Sequence, residues 1–276
     1  MTTTKQPGFA PAATPHASTA VHTSEESIIT GETSIPTQGE NMPAYHARPK
    51  NADGLLPVVI VVQEIFGVHE HIRDICRRLA QEGYLAIAPE LYFRQGDPND
   101  YTDIPTLFQE LVSKVPDAQV LADLDHVASW AARHGGDAHR LLITGFCWGG
   151  RITWLYAAHN PQLKAAVAWY GKLVGQKTLN SAKYPVDIAV DLNAPVLGLY
   201  GGRIRWKPCV TRFARPTPKR RSSSTRKPIT PLTPIIAPAI MKNRPKTAGS
   251  VCWHGLRSMA GSARKPLSVA DMAVNH

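Results

Sequence analysis

The sequence predicts an α/β fold, a mostly parallel sheet flanked by helices, on three observations. The run Pro57-Val58-Val59-Ile60-Val61-Val62 is continuously apolar and β-branched, the signature of a strand covered on both faces. Strand-like runs then alternate with amphipathic helical stretches as far as Gly202, and repeated units of this kind imply right-handed crossovers around a parallel sheet. A glycine-rich turn, Gly145-Phe146-Cys147-Trp148-Gly149-Gly150, falls between a strand and a helix, at the strand end where open α/β sheets carry their sites.

Residues 1–28 are rich in Thr, Ala, Ser and Pro without a sustained hydrophobic period, so a flexible leader is expected there and the domain is taken to span 29–202. Gly31 to Pro36 and Met42 to Ala47 read as an edge hairpin around Gln38-Gly39-Glu40-Asn41. After the strand at 57–62, Ile72, Ile75, Cys76, Leu79 and Ala80 recur at helical spacing among Arg73, Asp74, Arg77 and Arg78, and Gly83 ends the helix. Tyr84 to Pro89 is the next strand. The pattern continues with a helix from Val120 to Arg133, a strand from Leu141 to Thr144, a helix from Arg151 to His159, and strands at Ala165 to Tyr170 and Pro195 to Tyr200.

The formal net charge of +10 is unevenly placed. Residues 203–276 hold 16 Lys and Arg against the single acid Asp271, which leaves a mildly acidic domain carrying a basic tail. Nine prolines and no amphipathic window in that tail give it nothing to pack with. A polycation of this kind would bind nucleic acid without sequence preference, and a non-catalytic scaffold with such a tail is the competing reading. No folded reader motif or aromatic interleaving accompanies the charge, so no specific nucleic-acid partner is expected. The four cysteines, Cys76, Cys147, Cys209 and Cys252, share no CxxC spacing, which argues against a disulfide framework or a structural metal. No apolar run is long enough to span a membrane, and the N-terminus lacks the apolar core of a signal peptide. A soluble cytoplasmic protein without cofactor or metal is the expectation.

The turn at 145–150 has the form G-x-nucleophile-x-G, in which small flanking residues accommodate a strained backbone. Here the nucleophile would be the Cys147 thiol, with the following helix N-terminus favouring thiolate and the Trp148 amide placed for a developing oxyanion. A buried structural cysteine in a glycine-rich turn is the alternative. Glu64, in Gln63-Glu64-Ile65-Phe66-Gly67 at the end of a buried strand, needs either a partner or a task, because burying an acid is unfavourable. It could equally cap the following helix or pair with an arginine.

Together with Gly83-Tyr84-Leu85-Ala86-Ile87-Ala88-Pro89-Glu90-Leu91-Tyr92 and Trp169-Tyr170-Gly171, these motifs resemble the dienelactone hydrolase family of α/β-hydrolases, the carboxymethylenebutenolidases, over about Gly31 to Gly202. The resemblance implies an α/β-hydrolase fold and a small lactone or ester as substrate. It implies Cys147 as nucleophile, the amides of Trp148 and Ile65 as oxyanion hole, and Glu64 as the glutamate that controls when the thiolate forms. A thioester would form on Cys147 and water would release the opened acid.

The family's triad also needs an Asp after a strand ending Gly-Gly and a later His, and this sequence supplies neither. After Gly201-Gly202 come Arg203-Ile204, with only His254, His276 and Asp271 further on, so the last strand and helix of the fold are expected to be lost. A shifted reading frame accounts for this. Ile229 through His254 can be back-translated so that the displaced frame reads HAFNADYRPSYHEESAKDGWQRMLAW, which resembles the family's histidine segment and final helix, and the invariant codons of Met241 and Trp253 fit. A single insertion or deletion near the codon of Gly202 is therefore expected, with little or no turnover by the chain as written.

Of the remaining candidates, Arg94 could hold a substrate carboxylate or be a surface arginine, and Tyr170 could line the pocket or merely pack. His69 and His71 open a helix and are read as surface positions rather than a base, with His69 near enough in sequence to the site to merit one substitution, and Cys76 is read as a core residue.

Overall fold

The structure is a computed structural model and describes residues 23–201. The expected basic tail, its histidines and Asp271, and most of the expected leader lie outside the described residues.

Two strands open the fold, β1 (Ile28–Pro36) and β2 (Asn41–Pro49), paired in register as an antiparallel hairpin. There follow β3 (Leu56–Val62), α1 (Glu70–Gln81), β4 (Leu85–Pro89), α2 (Ile104–Glu110), α3 (Asp117–Arg133), β5 (Gly136–Phe146), α4 (Trp148–His159), β6 (Ala165–Trp169), α5 (Pro185–Ile188) and β7 (Val196–Leu199). The sheet order is β1-β2-β4-β3-β5-β6-β7, with β2 antiparallel to β4 and the pairs from β4 to β7 all parallel. The expected mostly parallel sheet with a hairpin at its edge is the observed one.

The β-branched run of β3 is explained by what covers it. Val58, Ile60 and Val62 belong to the layer packed by α3 and α4, whereas Val59 and Val61 face the layer packed by α1. All five are essentially sealed from water, so neither face tolerates a polar residue. On α1 the anticipated stripe of Ile72, Ile75, Cys76, Leu79 and Ala80 is buried.

Its neighbours Asp74, Arg77 and Arg78 are buried as well, which helical periodicity alone does not anticipate. They are paired: Arg78 pairs with Asp74 at 2.6 Å, and Arg77 pairs with Glu70 and reaches the Tyr45 hydroxyl. The cover over them is the segment just before β1, where Thr23 N–H donates to Asp74 and Gln81 donates to the Ser24 carbonyl. Residues 23–28, assigned above to a flexible leader, therefore pack on α1, and β1 starts at Ile28. The helix Asp117–Arg133 starts three residues before the expected Val120, because Asp117 is fixed by Arg151 of α4 through two hydrogen bonds of 2.7 and 2.6 Å.

Candidate active site

The turn between β5 and α4 is strained at Cys147, whose φ of 52° and ψ of −113° lie in a region that side-chain-bearing residues rarely adopt. Two constraints hold it there. The Cys147 N–H donates to the Trp169 carbonyl at 3.0 Å, tying the turn to β6, and the glycines around it allow backbone to approach where no Cβ fits. A Cβ at Gly149 would collide with the carbonyls of Gln63 and Val62, and one at Gly145 would lie 2.6 Å from the Thr153 hydroxyl. The pattern of small residues thus presses the end of β3 against the head of α4. That contact brings the Gln63-Glu64-Ile65 segment to the elbow.

Glu64 is almost buried and is gripped from two sides. Tyr170 Oη donates to Oε1 at 2.8 Å, and His69 Nε2 lies 3.0 Å from Oε2. Burial pushes the Glu64 carboxyl pKa up, but the hydrogen bonds from His69 and Tyr170 outweigh it, and the pKa falls below the ordinary glutamate value. Cys147 shows the opposite balance. Burial raises its thiol pKa, the Glu64 charge raises it further, and the Trp148 N–H on the sulfur only partly offsets both. The half-buried thiol and the buried carboxylate therefore share one electrostatic field, in which charge on either disfavours charge on the other.

Tyr170 reaches Glu64 because its own backbone is unusual. It has a φ of 39°, and its N–H donates to the Leu199 carbonyl at 2.7 Å, so the chain swings over the strand ends after β6. Tyr92 packs its ring edge-on to Trp148 with centroids 5.0 Å apart, and Gln63 Oε1 accepts the Leu91 N–H at 3.0 Å. Trp148, Ile65, Cys147, Glu64 and Tyr170 thus converge on the carboxyl ends of β3, β5 and β6.

Arg94, the candidate for a substrate carboxylate, makes its hydrogen bonds within the fold. Its guanidinium makes a two-pronged pair with Asp123 at 2.7 and 3.1 Å and also donates to Thr37 Oγ1, tying α3 to the β1–β2 turn. At 20% exposure against 3% for Asp123, it is no free surface arginine either. His69 is the reverse case: read as a surface residue, it is 13% exposed and bonded to Glu64. Gly67, at a φ of 80°, reverses the chain between the two, so a histidine five residues after Glu64 across a glycine was the signal available. Cys76 is buried and free of disulfide, as expected for the core.

Among the described residues, no helix is long and apolar enough to cross a membrane. The chain matches the model of the dienelactone hydrolase family over residues 42–205. It is 80% identical over 203 residues to an Escherichia coli K12 protein named "Putative carboxymethylenebutenolidase", covering 74% of this chain and 75% of that one. A Salmonella typhimurium protein of the same name is 80% identical over 203 residues, with the same coverage. A Klebsiella pneumoniae crystal structure, titled as that of a "Putative Dienelactone Hydrolase", shares 92% identity with a TM-score of 0.63, over 64% of this chain and 73% of that one. The fold is that of the α/β-hydrolases, and the chain belongs to the dienelactone hydrolase family, hydrolases of lactone and ester bonds.

Proposed function

We propose that this protein opens a small lactone or ester through the Cys147 thiol. The observation that carries the reading is the strained backbone of Cys147 at the head of α4, with the Trp148 N–H on its sulfur and Glu64 beside it. In this scheme the Cys147 thiolate attacks the carbonyl carbon, and the oxyanion is met by the amides of Trp148 and Ile65. Collapse breaks the carbon–oxygen bond of the ester. The departing oxygen takes a proton, leaving a thioester on Cys147, and water then cleaves that thioester to the acid and regenerates the thiol.

Deprotonating Cys147 is the weak step. No histidine is hydrogen-bonded to its sulfur among the described residues, and the only histidines after residue 201 are His254 and His276. The same reading takes the frame to be displaced from about Gly202, and the end of the family match at residue 205 supports it. On this reading the chain retains nucleophile and oxyanion site but has lost the base and its orienting acid.

The experiment compares ester hydrolysis by the full-length chain, its Cys147→Ala variant and a chain with the frame restored after Gly202. The restored chain should exceed the present one by on the order of 10⁴-fold in kcat. A restored chain no faster than the present one, or as fast after Cys147→Ala, overturns the proposal.

A further inference from the structure

Between the end of β3 and the head of α1 the chain makes one tight turn, and two side chains hold it from opposite flanks. The Gly67 N–H donates to the Glu64 carbonyl at 3.4 Å, closing the turn with Ile65 and Phe66 at its tip. That bond is long, and it engages Gly67 rather than the Ile65 N–H. Before the turn, the buried Gln63 accepts the Leu91 N–H on Oε1 at 3.0 Å. After it, Glu90 Oε2 accepts the Val68 N–H at 3.2 Å. Each bond joins a side chain of one segment to the backbone of the other, so the residues just after β4 grip the turn on both sides of Ile65.

Glu90 is itself fixed. Its N–H donates to the Pro43 carbonyl of β2 at 2.9 Å, which anchors its backbone in the sheet. A Cβ on Gly67 would lie 3.3 Å from Glu90 Oε2 and 3.1 Å from the Pro98 ring, so the carboxyl is packed against the turn as well as bonded to it. The place is a poor one for charge. Burial raises the Glu90 pKa, Asp97 and Glu32 of β1 raise it further, and the Val68 N–H and Arg73 of α1 only partly offset them. An acid kept where charge is disfavoured calls for a task, and what the Val68 N–H takes from it is an acceptor oxygen.

We infer that Glu90 is a positioning residue: its carboxyl oxygen, bonded to the Val68 N–H across the turn from the Gln63 side chain, holds the Ile65 N–H where the oxyanion of an ester attacked by Cys147 develops. The inference rests on Cys147 being the nucleophile and the Ile65 N–H an oxyanion donor, and it adds which side chain aims that donor. The role belongs to acyl transfer alone. Attack on an ester carbonyl places negative charge on its oxygen, whereas alkylation by iodoacetamide displaces iodide from a methylene carbon and forms no oxyanion. Glu64 keeps its bonds to Tyr170 and His69 without Glu90, so ionisation of the thiol should stay as it is. Loss of Glu90 should therefore slow the first reaction and spare the second, a split that general loosening of the fold does not produce.

The test measures two reactions of Cys147 in the full-length chain by mass spectrometry of the peptide bearing it. One is acetylation by an aryl acetate, in which the acetyl group passes to the sulfur and the phenol departs; the other is alkylation by iodoacetamide. Glu90→Leu keeps the bulk and removes the acceptor, and it should slow acetylation about tenfold while leaving the alkylation rate and its pH midpoint unchanged. Glu90→Gln has a side-chain carbonyl to accept the Val68 N–H and should acetylate like the unmodified chain. Undiminished acetylation in Glu90→Leu, acetylation and alkylation slowed alike, or a Glu90→Gln as slow as Glu90→Leu overturns the inference. Should Glu90→Leu fail to fold, Glu90→Ala takes its place with the same expected split, and a slow Glu90→Gln overturns the inference by itself. The failures are distinguishable. No acetyl group on Cys147 of the unmodified chain, with alkylation intact, overturns the hydrolase reading and this inference with it; acetylation there without the split overturns this inference alone.

Discussion

Tyr170 and Glu64 stand 106 residues apart in the chain and meet through a hydrogen bond of 2.8 Å. The bond depends on the left-handed backbone of Tyr170, which turns the chain away from β6 and over the ends of β3 and β5. With the Tyr170 hydroxyl removed, Glu64 loses one of two donors and its charge becomes harder to keep in a buried place. Tyr170→Phe should therefore raise the Glu64 pKa toward the ordinary carboxylate range, read by titration of the side-chain carboxyl in NMR. An unchanged titration would mean that His69 alone sustains the charge.

The same depressed pKa links Glu64 to stability. A carboxyl whose pKa is lower folded than unfolded contributes stability above the ordinary glutamate value, and loses it as pH falls from there through the folded value. Urea unfolding followed downward through about pH 5 to about pH 3 should show a steeper fall for the native sequence than for Glu64→Gln. Parallel curves would show that Glu64 is not the group responsible.

Backbone strain at Cys147 gives a prediction independent of its chemistry. Glycine adopts positive φ without a Cβ penalty, so Cys147→Gly should be more stable than Cys147→Ala by about 1 kcal/mol. At an unstrained position the order would be the opposite, because glycine is the more flexible residue when unfolded. Thermal melting of the two variants decides between them.

Much of this architecture was legible in the sequence because its strongest signals are local. Five β-branched positions in a row identified β3, and the apolar spacing from Ile72 to Ala80 identified α1. What escaped depends on distant partners. Strand β5 begins at Gly136 rather than Leu141, since Gly136 and Asp137 pair with Leu56 and Pro57 before a register shift. Helix α2, only seven residues long with Ile104 and Phe108 exposed, has too little apolar face to be recognised. At the site, the elbow glycines announced Cys147, but whether Glu64 capped a helix or faced the thiol rested on Tyr170 and His69, and the Gly67 turn hid the latter.

Arg94 illustrates the same limit from the other side. Its partner Asp123 lies 29 residues on, and no local pattern connects them. Removing Asp123 leaves a mostly buried guanidinium uncompensated, so Asp123→Ala should lower the unfolding free energy by about 3 kcal/mol. The Arg94→Ala and Asp123→Ala double variant should cost clearly less than the sum of the singles. Strict additivity would show that the pair contributes nothing as a pair.

The central claim is that Cys147 carries the acyl group, and trapping that adduct tests it most directly. The full-length chain is mixed with an activated aryl acetate, quenched in acid, digested and weighed by mass spectrometry. The account predicts an acetyl group on the peptide containing Cys147, absent in Cys147→Ala. Acetate found only on other residues, or ester hydrolysis undiminished by Cys147→Ala, would contradict it.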